Sequence, residues 1–317
     1  MLALAITGPT ASGKTALSLA VADALGCEIV SCDSMQIYKG MDIGTAKATE
    51  AERCRVAHHM IDFLDPRENY SVENYRRDAL ACMNDISARG KIPLLVGGTG
   101  LYASSLLRSG ADTSPEGDAE YRERVFLSVK NDADRHGLWE RLFQVDPESA
   151  EKIHKNNVKR VIRALEIYDK TGIPKSVFDK QTKTEAPEAD IKMITLDFHS
   201  RQALYERINQ RVDDMISEGL VEEARELLSR GLLLPGTTAS QAIGYKEITD
   251  YIRGECSLDE AKERLKLATR RYAKRQLTWF RHVECQRLFM DSQTGVLKEG
   301  GEVLREALSL FTEMIRG

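Results

Sequence analysis

Residues 8–15 read GPTASGKT, directly behind the apolar run Leu2–Ile6. This is the G-x-x-x-x-G-K-[ST] spacing, and each fixed position has a physical task. Gly8 and Gly13 let the backbone curl through Pro9, Thr10, Ala11 and Ser12, so that the N–H groups of the turn converge on one anion. Lys14 adds a point charge, and the Thr15 hydroxyl can hold a magnesium ion. A helix beginning at this point adds its positive end. The chemistry specified is a diphosphate or triphosphate held together with Mg2+. The loop alone leaves open what becomes of that phosphate.

A second apolar run ends in Ser31-Cys32-Asp33-Ser34-Met35-Gln36. In a parallel sheet this end lies beside the phosphate loop. Asp33 then reads as a general base on an acceptor, as a group near the magnesium, or as a carboxylate that orders its own loop. Ser34 and Gln36 can hydrogen-bond an acceptor, and Gln36 suits an adenine edge. The run Leu94-Leu95-Val96 passes into Gly97-Gly98-Thr99-Gly100, where hydrolytic phosphate-loop enzymes usually place a magnesium-holding aspartate. Its absence argues against a motor or switch ATPase and leaves a kinase or another group transfer. The paired glycines let something bulky approach the backbone there.

Between Lys262 and Arg281, eight Lys or Arg stand against the single acid Glu263, with Tyr272, Trp279 and Phe280 interleaved. Phosphates need the charge and unstacked bases need ring faces, so this reads as an RNA surface, against the plainer alternative of a solvated helix face. A second basic segment carries Lys159, Arg160 and Arg163 on neighbouring helical turns. Arg207 and Arg211, four apart, can point together at one anion or outward into solvent. His58, His59 and His154 lack partners at metal-ligand spacing and read as structural or surface residues.

The elements that must position these groups alternate strand and helix over the first third: strands over 2–7, 28–31, 60–64 and 92–96, and helices over 14–25 and 72–89. Such alternation predicts an α/β fold, a P-loop core with a parallel sheet flanked by helices and ligands at the carboxyl ends of the strands. From about residue 111 the sequence turns charged and helix-forming, with helices expected over 121–130 and 157–170 and a loop or hinge over 171–190. A strand over 191–198 rejoins the sheet, and residues 201–317 read as helical. The expected organisation is a core over 1–112, an inserted mainly helical domain over 113–189, and a return strand with a helical C-terminal region over 190–317. At 317 residues, 42% hydrophobic and 30% charged, with a net charge of −4, the composition excludes wholesale disorder. Six scattered cysteines without a C-x-x-C give neither a zinc site nor a disulfide framework. With no leader or membrane span, the expectation is a reduced cytoplasmic protein, a monomer that does not engage membranes.

The stretches GPTASGKT (8–15), DSMQIYKGMDIGTAK (33–47), HHMIDFLDP (58–66), YSVENYRRDA (70–79), PLLVGGTGLY (93–102), NNVKRVIRALEIY (156–168), SQAIGYKE (240–247) and AKRQLTWFR (273–281) occur together and in order. With them the chain resembles the bacterial tRNA dimethylallyltransferases, also called tRNA isopentenyltransferases. The resemblance implies transfer of a dimethylallyl group from its diphosphate to the exocyclic amine of the adenosine following the anticodon in tRNA. It makes the P-loop, Lys14, Thr15 and Mg2+ a grip on a pyrophosphate leaving group; Arg207 and Arg211, from their spacing, are the candidates for further diphosphate contacts. Asp33 matches the general base, and Thr99 matches a residue contacting the target adenosine. Asp33, Ser34, Met35, Gln36, Thr99, Arg122, Lys159, Arg160, Arg163, Gln241, Gly244, Tyr245, Lys246, Lys274, Arg275, Gln276, Trp279 and Arg281 match tRNA-contacting positions. Ile37, Lys39 and Ala48 depart from residues frequent in the family, and the zinc-finger tail of eukaryotic relatives is absent.

Two other readings remain. A nucleoside or small-molecule kinase shares the loop, the sheet and the acceptor-side aspartate, but a small acceptor has no need of the Lys262–Arg281 surface. A non-catalytic GTPase-like RNA-binding module is opposed by the missing aspartate after Val96.

Overall fold

A computed structural model describes residues 1–107, 117–181 and 187–316. The first stretch contains β1 (Leu2–Thr7), α1 (Lys14–Leu25), β2 (Cys27–Ser31), α2 (Glu50–Arg55), β3 (His58–His59), α3 (Val72–Ala88), β4 (Ile92–Gly97) and α4 (Gly100–Leu107). Next come α5 (Ala119–Ser128), α6 (Asp132–Val145), α7 (Pro147–Lys152), α8 (Val158–Thr171) and α9 (Lys175–Gln181). The chain ends with β5 (Asp190–Asp197), α10 (Arg201–Ser217), α11 (Leu220–Ser229), α12 (Tyr245–Ile252), α13 (Leu258–Phe280), β6 (Gln286–Phe289) and α14 (Gly300–Arg316). Two compact units result, Met1–Leu107 with Ala189–Gly317, and Arg108–Glu188. The boundary expected at 112–113 lies outside the described residues.

In the first unit six strands pair in the order β3-β2-β4-β1-β5-β6, all parallel. β1 is central, and its alternation explains its uniform apolarity. Ala3 and Ala5 face the layer holding Tyr75, Met83 and Leu106 of α3 and α4, while Leu4 and Ile6 face Leu17 and Val21 of α1 and Phe311 of α14. A strand covered on both faces reads as a continuous apolar run. The helices α10 to α13 build a separate apolar cluster in which Val212, Leu220, Ala224 and Leu265 close around Ile37, Tyr38 and Met41. The 33–47 segment is thereby anchored at its middle. The second unit packs on its own core, where Leu142 and Ala150 meet Val161, Ala164 and Leu165 of α8.

Three expectations are corrected. The third strand is His58–His59 rather than 60–64, because Met60 and Asp62 both take positive φ (57° and 58°) and turn the chain. The loop expected over 171–190 contains α9, whose start Ser176 donates its N–H to the buried Asp146 carboxylate at 3.0 Å. Residues 286–289 form the edge strand β6 within a region read as helical, and only Leu288 there is buried, so the segment carries almost no strand periodicity. Among the described residues, no helix is long and apolar enough to cross a membrane.

Candidate active site

The carboxyl ends of β1, β2 and β4 open into a cavity of about 570 Å3, lined by Thr10–Thr15, Asp33–Gln36, Val96 and Gly97 from the core, and by Arg211, Gln241, Tyr272, Arg275 and Gln276 from the C-terminal helices. The loop 8–15 delivers the first turn of α1 to the cavity floor. Gly8, Ala11 and Gly13 all take positive φ (144°, 61° and 91°), the local twist that turns the loop. No side chain caps the N-terminus of α1, so its leading N–H groups are left for an anion. Lys14 Nζ donates to the carbonyls of Gly8 (3.1 Å) and Pro9 (2.7 Å). Burial, and next the nearby Arg211, bring the Lys14 ammonium down to about pKa 7, against an upward pull from Asp33. Arg207 and Arg211, whose direction the spacing left open, both turn inward. Arg207 Nε donates to Ala11 O at 2.8 Å, and Arg211 lines the cavity, its guanidinium pKa lowered by burial. Three basic side chains thus converge on one phosphate loop.

On the opposite wall, Asp33 Oδ1 accepts the Met35 N–H at 2.9 Å, closing a tight turn. Its other oxygen has no partner among the described residues. The loop-ordering reading of Asp33 is thus met by one oxygen, and the second oxygen is left over. Thr99 Oγ1 accepts the Ser34 N–H at 3.1 Å, joining the acceptor-side turn of β2 to that of β4. Burial, and next the charge of Asp33, raise the pKa of the Tyr272 hydroxyl, against a downward pull from the nearby Thr99. Tyr272, read from the sequence as one of the aromatics of an RNA surface, instead lines the cavity, and its i,i+4 relation to Gln276 places both on one face of α13. The apolar wall of Val212, Met215, Ile243 and Leu265 also carried no sequence signal beyond ordinary core periodicity.

Several expected contacts are engaged inside the protein. Gln36, suited by type to an adenine edge, accepts from Ser31 Oγ (3.2 Å) and donates to Thr45 O (3.3 Å) and Ala46 O (3.1 Å). Tyr245 is wholly buried, its hydroxyl donating to Glu223 at 2.6 Å, so its ring is core rather than surface. That same Glu223 carboxylate accepts the N–H groups of Asp42, Ile43 and Gly44 and so pins the 33–47 segment. Trp279 donates to Ser104 Oγ at 3.1 Å and packs on Gly100, holding α13 against α4. The bulky group admitted by Gly97 and Gly98 is the protein itself: a Cβ on Gly97 would collide with the Cys32 backbone, and one on Gly98 with the Gln276 amide.

The charge of α13 divides along its length. Lys262 and Lys266 pair with Asp213 at 2.7 and 3.0 Å, and Arg264 lies 3.9 Å from Asp250. Arg271, Lys274, Arg275 and Arg281 are exposed and form no ion pair among the described residues. Gln241 and Lys246 are exposed as well, on either side of Gly244, whose φ of 103° turns the chain into α12. In the second unit, Arg163 and Arg122 flank the buried Glu166 at 2.8 and 3.7 Å, whereas Lys159 and Arg160 are exposed and free of ion pairs among the described residues. His58 and His59 are structural, the latter 2.8 Å from Glu28.

The IPP transferase family model matches residues 36–283, and an isopentenyl transferase model matches residues 1–62. A tRNA dimethylallyltransferase of Caldanaerobacter subterraneus is 50% identical over 280 residues, 87% of each chain. The chain belongs to the tRNA dimethylallyltransferase family. Another member, from Geobacillus thermodenitrificans, is 51% identical over 278 residues, covering 87% of this chain and 86% of that one. The crystal structure of a tRNA isopentenylpyrophosphate transferase from Staphylococcus epidermidis is 39% identical and superposes with a TM-score of 0.70 over 99% of both chains. A eukaryotic dimethylallyltransferase described as acting on tRNA is 30% identical, with a TM-score of 0.77 over 90% of this chain and 73% of that one. Within this tRNA dimethylallyltransferase fold, the cavity between the phosphate loop and Asp33 is the candidate reaction site.

Proposed function

We propose that this transferase prenylates tRNA with Asp33 as base and the loop 8–15 as the grip on the leaving group. The activity is that of its family: a dimethylallyl group passes from its diphosphate to the exocyclic amine of the adenosine following the anticodon. The observation that supports these residue roles is the cavity with cations at one wall and a half-free carboxylate at the other. Breaking the allylic C–O bond leaves its electron pair on the pyrophosphate. Lys14, Arg207, Arg211 and the uncapped N-terminus of α1 meet that growing charge. The amine lone pair closes the new C–N bond, and Asp33 takes the proton that the nitrogen sheds. Thr99, held by Ser34, sits next to the Asp33 turn to orient the target adenine.

Magnesium fits this arrangement in one way only. Among the described residues no cluster of His, Cys, Asp or Glu could cage a metal ion, so Thr15 and the diphosphate oxygens would be its ligands. Bound there, it would supply Lewis-acid neutralisation of the departing pyrophosphate. The exposed Arg271, Lys274, Arg275 and Arg281, with Gln241 and Lys246, are the side chains best placed to meet tRNA on the first unit; Lys159 and Arg160 serve that role on the second. A kinase reading has no use for either surface.

Incubation of tRNA with dimethylallyl diphosphate, followed by mass spectrometry of the nucleosides, should yield dimethylallyl-adenosine, and ATP in its place should yield no product. Asp33→Ala should lower the rate by about 10²- to 10⁴-fold while the diphosphate still binds. Turnover retained in that variant would remove Asp33 from the base role.

A further inference from the structure

Gln276 sits where three functional segments meet, and all of its polar atoms face inward. It lies on α13, one residue after Arg275 and two after Lys274, yet is only 5% exposed. Its Oε1 accepts the Thr10 N–H of the phosphate loop at 2.9 Å. Its Nε2 donates to Gly98 O, in the turn that carries Thr99, at 2.9 Å. The orientation of the amide is fixed by chemistry, since a backbone N–H can only donate and a carbonyl oxygen can only accept. The fit is close enough that a Cβ on Gly98 would overlap the Gln276 amide.

The geometry points to Gln276 as a positioning residue: a two-ended clamp that sets the separation between the leaving-group loop and the acceptor turn, carried on the helix that docks RNA. This assignment rests on the functional reading above and departs from the expectation that Gln276 itself touches tRNA. One amide end holds the loop that grips diphosphate, and the other holds the turn that presents Thr99. The distance between the breaking C–O bond and the incoming nitrogen is therefore set across this side chain. A displacement of about 1 Å at such a junction costs on the order of 100-fold in rate without weakening either substrate's own contacts. The two ends are unequal in kind. Thr10 presents a donor and Gly98 an acceptor, so only a side-chain amide of this length satisfies both at once.

Steady-state kinetics with tRNA and dimethylallyl diphosphate test the clamp. Gln276→Met keeps the volume and removes both hydrogen bonds. Gln276→Glu keeps the shape and the Thr10 contact while placing an oxygen against Gly98 O. Both variants should lose about 10- to 100-fold in kcat, with the KM for tRNA within about threefold of the parent. The pair Lys274→Glu/Arg275→Glu provides the reference, and there the KM for tRNA should rise. A raised KM for tRNA with unchanged kcat in the Gln276 variants would make Gln276 an RNA contact and overturn the clamp. Unchanged values of both would overturn it too, as would loss of a cooperative thermal transition in both variants, which would make Gln276 a folding residue. If the Lys274/Arg275 reference instead leaves the KM for tRNA unchanged, the failure lies with the RNA-surface reading and not with the clamp.

Discussion

Glu28 and Asp33 stand at opposite ends of β2 and are treated in opposite ways. Glu28, at the amino end, is buried and receives Arg89, Lys91 and His59 within 2.5 to 2.8 Å. Those partners, Arg89 first, hold its carboxyl well below the usual glutamate range against the cost of burial. Asp33, at the carboxyl end, has cations across the cavity but no ion pair among the described residues, and one of its oxygens is unpartnered. The first arrangement spends every interaction on the fold. The second holds interactions in reserve for a ligand, which is what a catalytic group requires. The difference follows from parallel-sheet topology: loops leaving the carboxyl ends converge, and those entering the amino ends do not.

After the loss of turnover expected in Asp33→Ala, the next largest effect belongs to the other end. Glu28→Gln should cost about 2 kcal/mol, because it leaves Arg89 and Lys91 without a carboxylate while both remain half-exposed to water. In a unit of this size that lowers Tm by about 4–8 °C, with kcat unchanged for protein below its transition. The pH dependence has a definite sign. A carboxyl held below its ordinary value of 4.5 contributes stability that is complete above that value and is lost as the pH falls beneath it. The acid limb of the parent's stability curve should therefore be steeper below pH 4.5 than that of Glu28→Gln. A kcat that falls along with Tm would break the contrast between the two ends.

The same contrast recurs along α13, whose amino half is neutralised by Asp213 and Asp250 and whose carboxyl half is bare. Charge reversal at Lys274 and Arg275 should weaken tRNA binding about tenfold and flatten its salt dependence by roughly two phosphate contacts. Lys262→Gln should leave the salt slope where it was, since that charge already faces Asp213. Equal effects from both halves would mean that the ion pairs open on binding.

This division shows what a sequence can carry. The phosphate loop, the β2 and β4 ends and the alternation of strand and helix were readable because each rests on local rules: glycine at a turn, apolar runs, a Lys-Thr pair at a helix start. Charge on α13 was readable as a sum but not as a distribution, because Asp213 and Asp250 come from other helices. Tyr245 and Gln276 were placed at tRNA by resemblance, Gln36 and Trp279 by residue type as well, and none of the four types gave a hint of internal partners 5 to 266 residues away in the chain. The strand β6 was missed because an edge strand with one buried residue shows no period.

The smallest expected effect separates a poised cavity from a satisfied one. Lys14, brought down to about pKa 7 by burial and by Arg211, is only partly charged at neutral pH in the empty protein. A bound diphosphate places negative charge beside it and raises that value, so binding above pH 7 must take up a proton. Below the free value Lys14 is already an ammonium, and affinity should be flat. Above it, affinity for dimethylallyl diphosphate should fall by up to about tenfold per pH unit until the bound form titrates in turn. Calorimetry at pH 8 in two buffers of different ionisation enthalpy reads the proton directly, as a difference in apparent binding heat. Lys14→Met should bind more weakly and abolish that difference. Equal heats for the parent protein in both buffers would show that the Lys14 charge is already in place before the ligand arrives, making the phosphate loop as fully satisfied as the Glu28 cluster at the other end of the sheet.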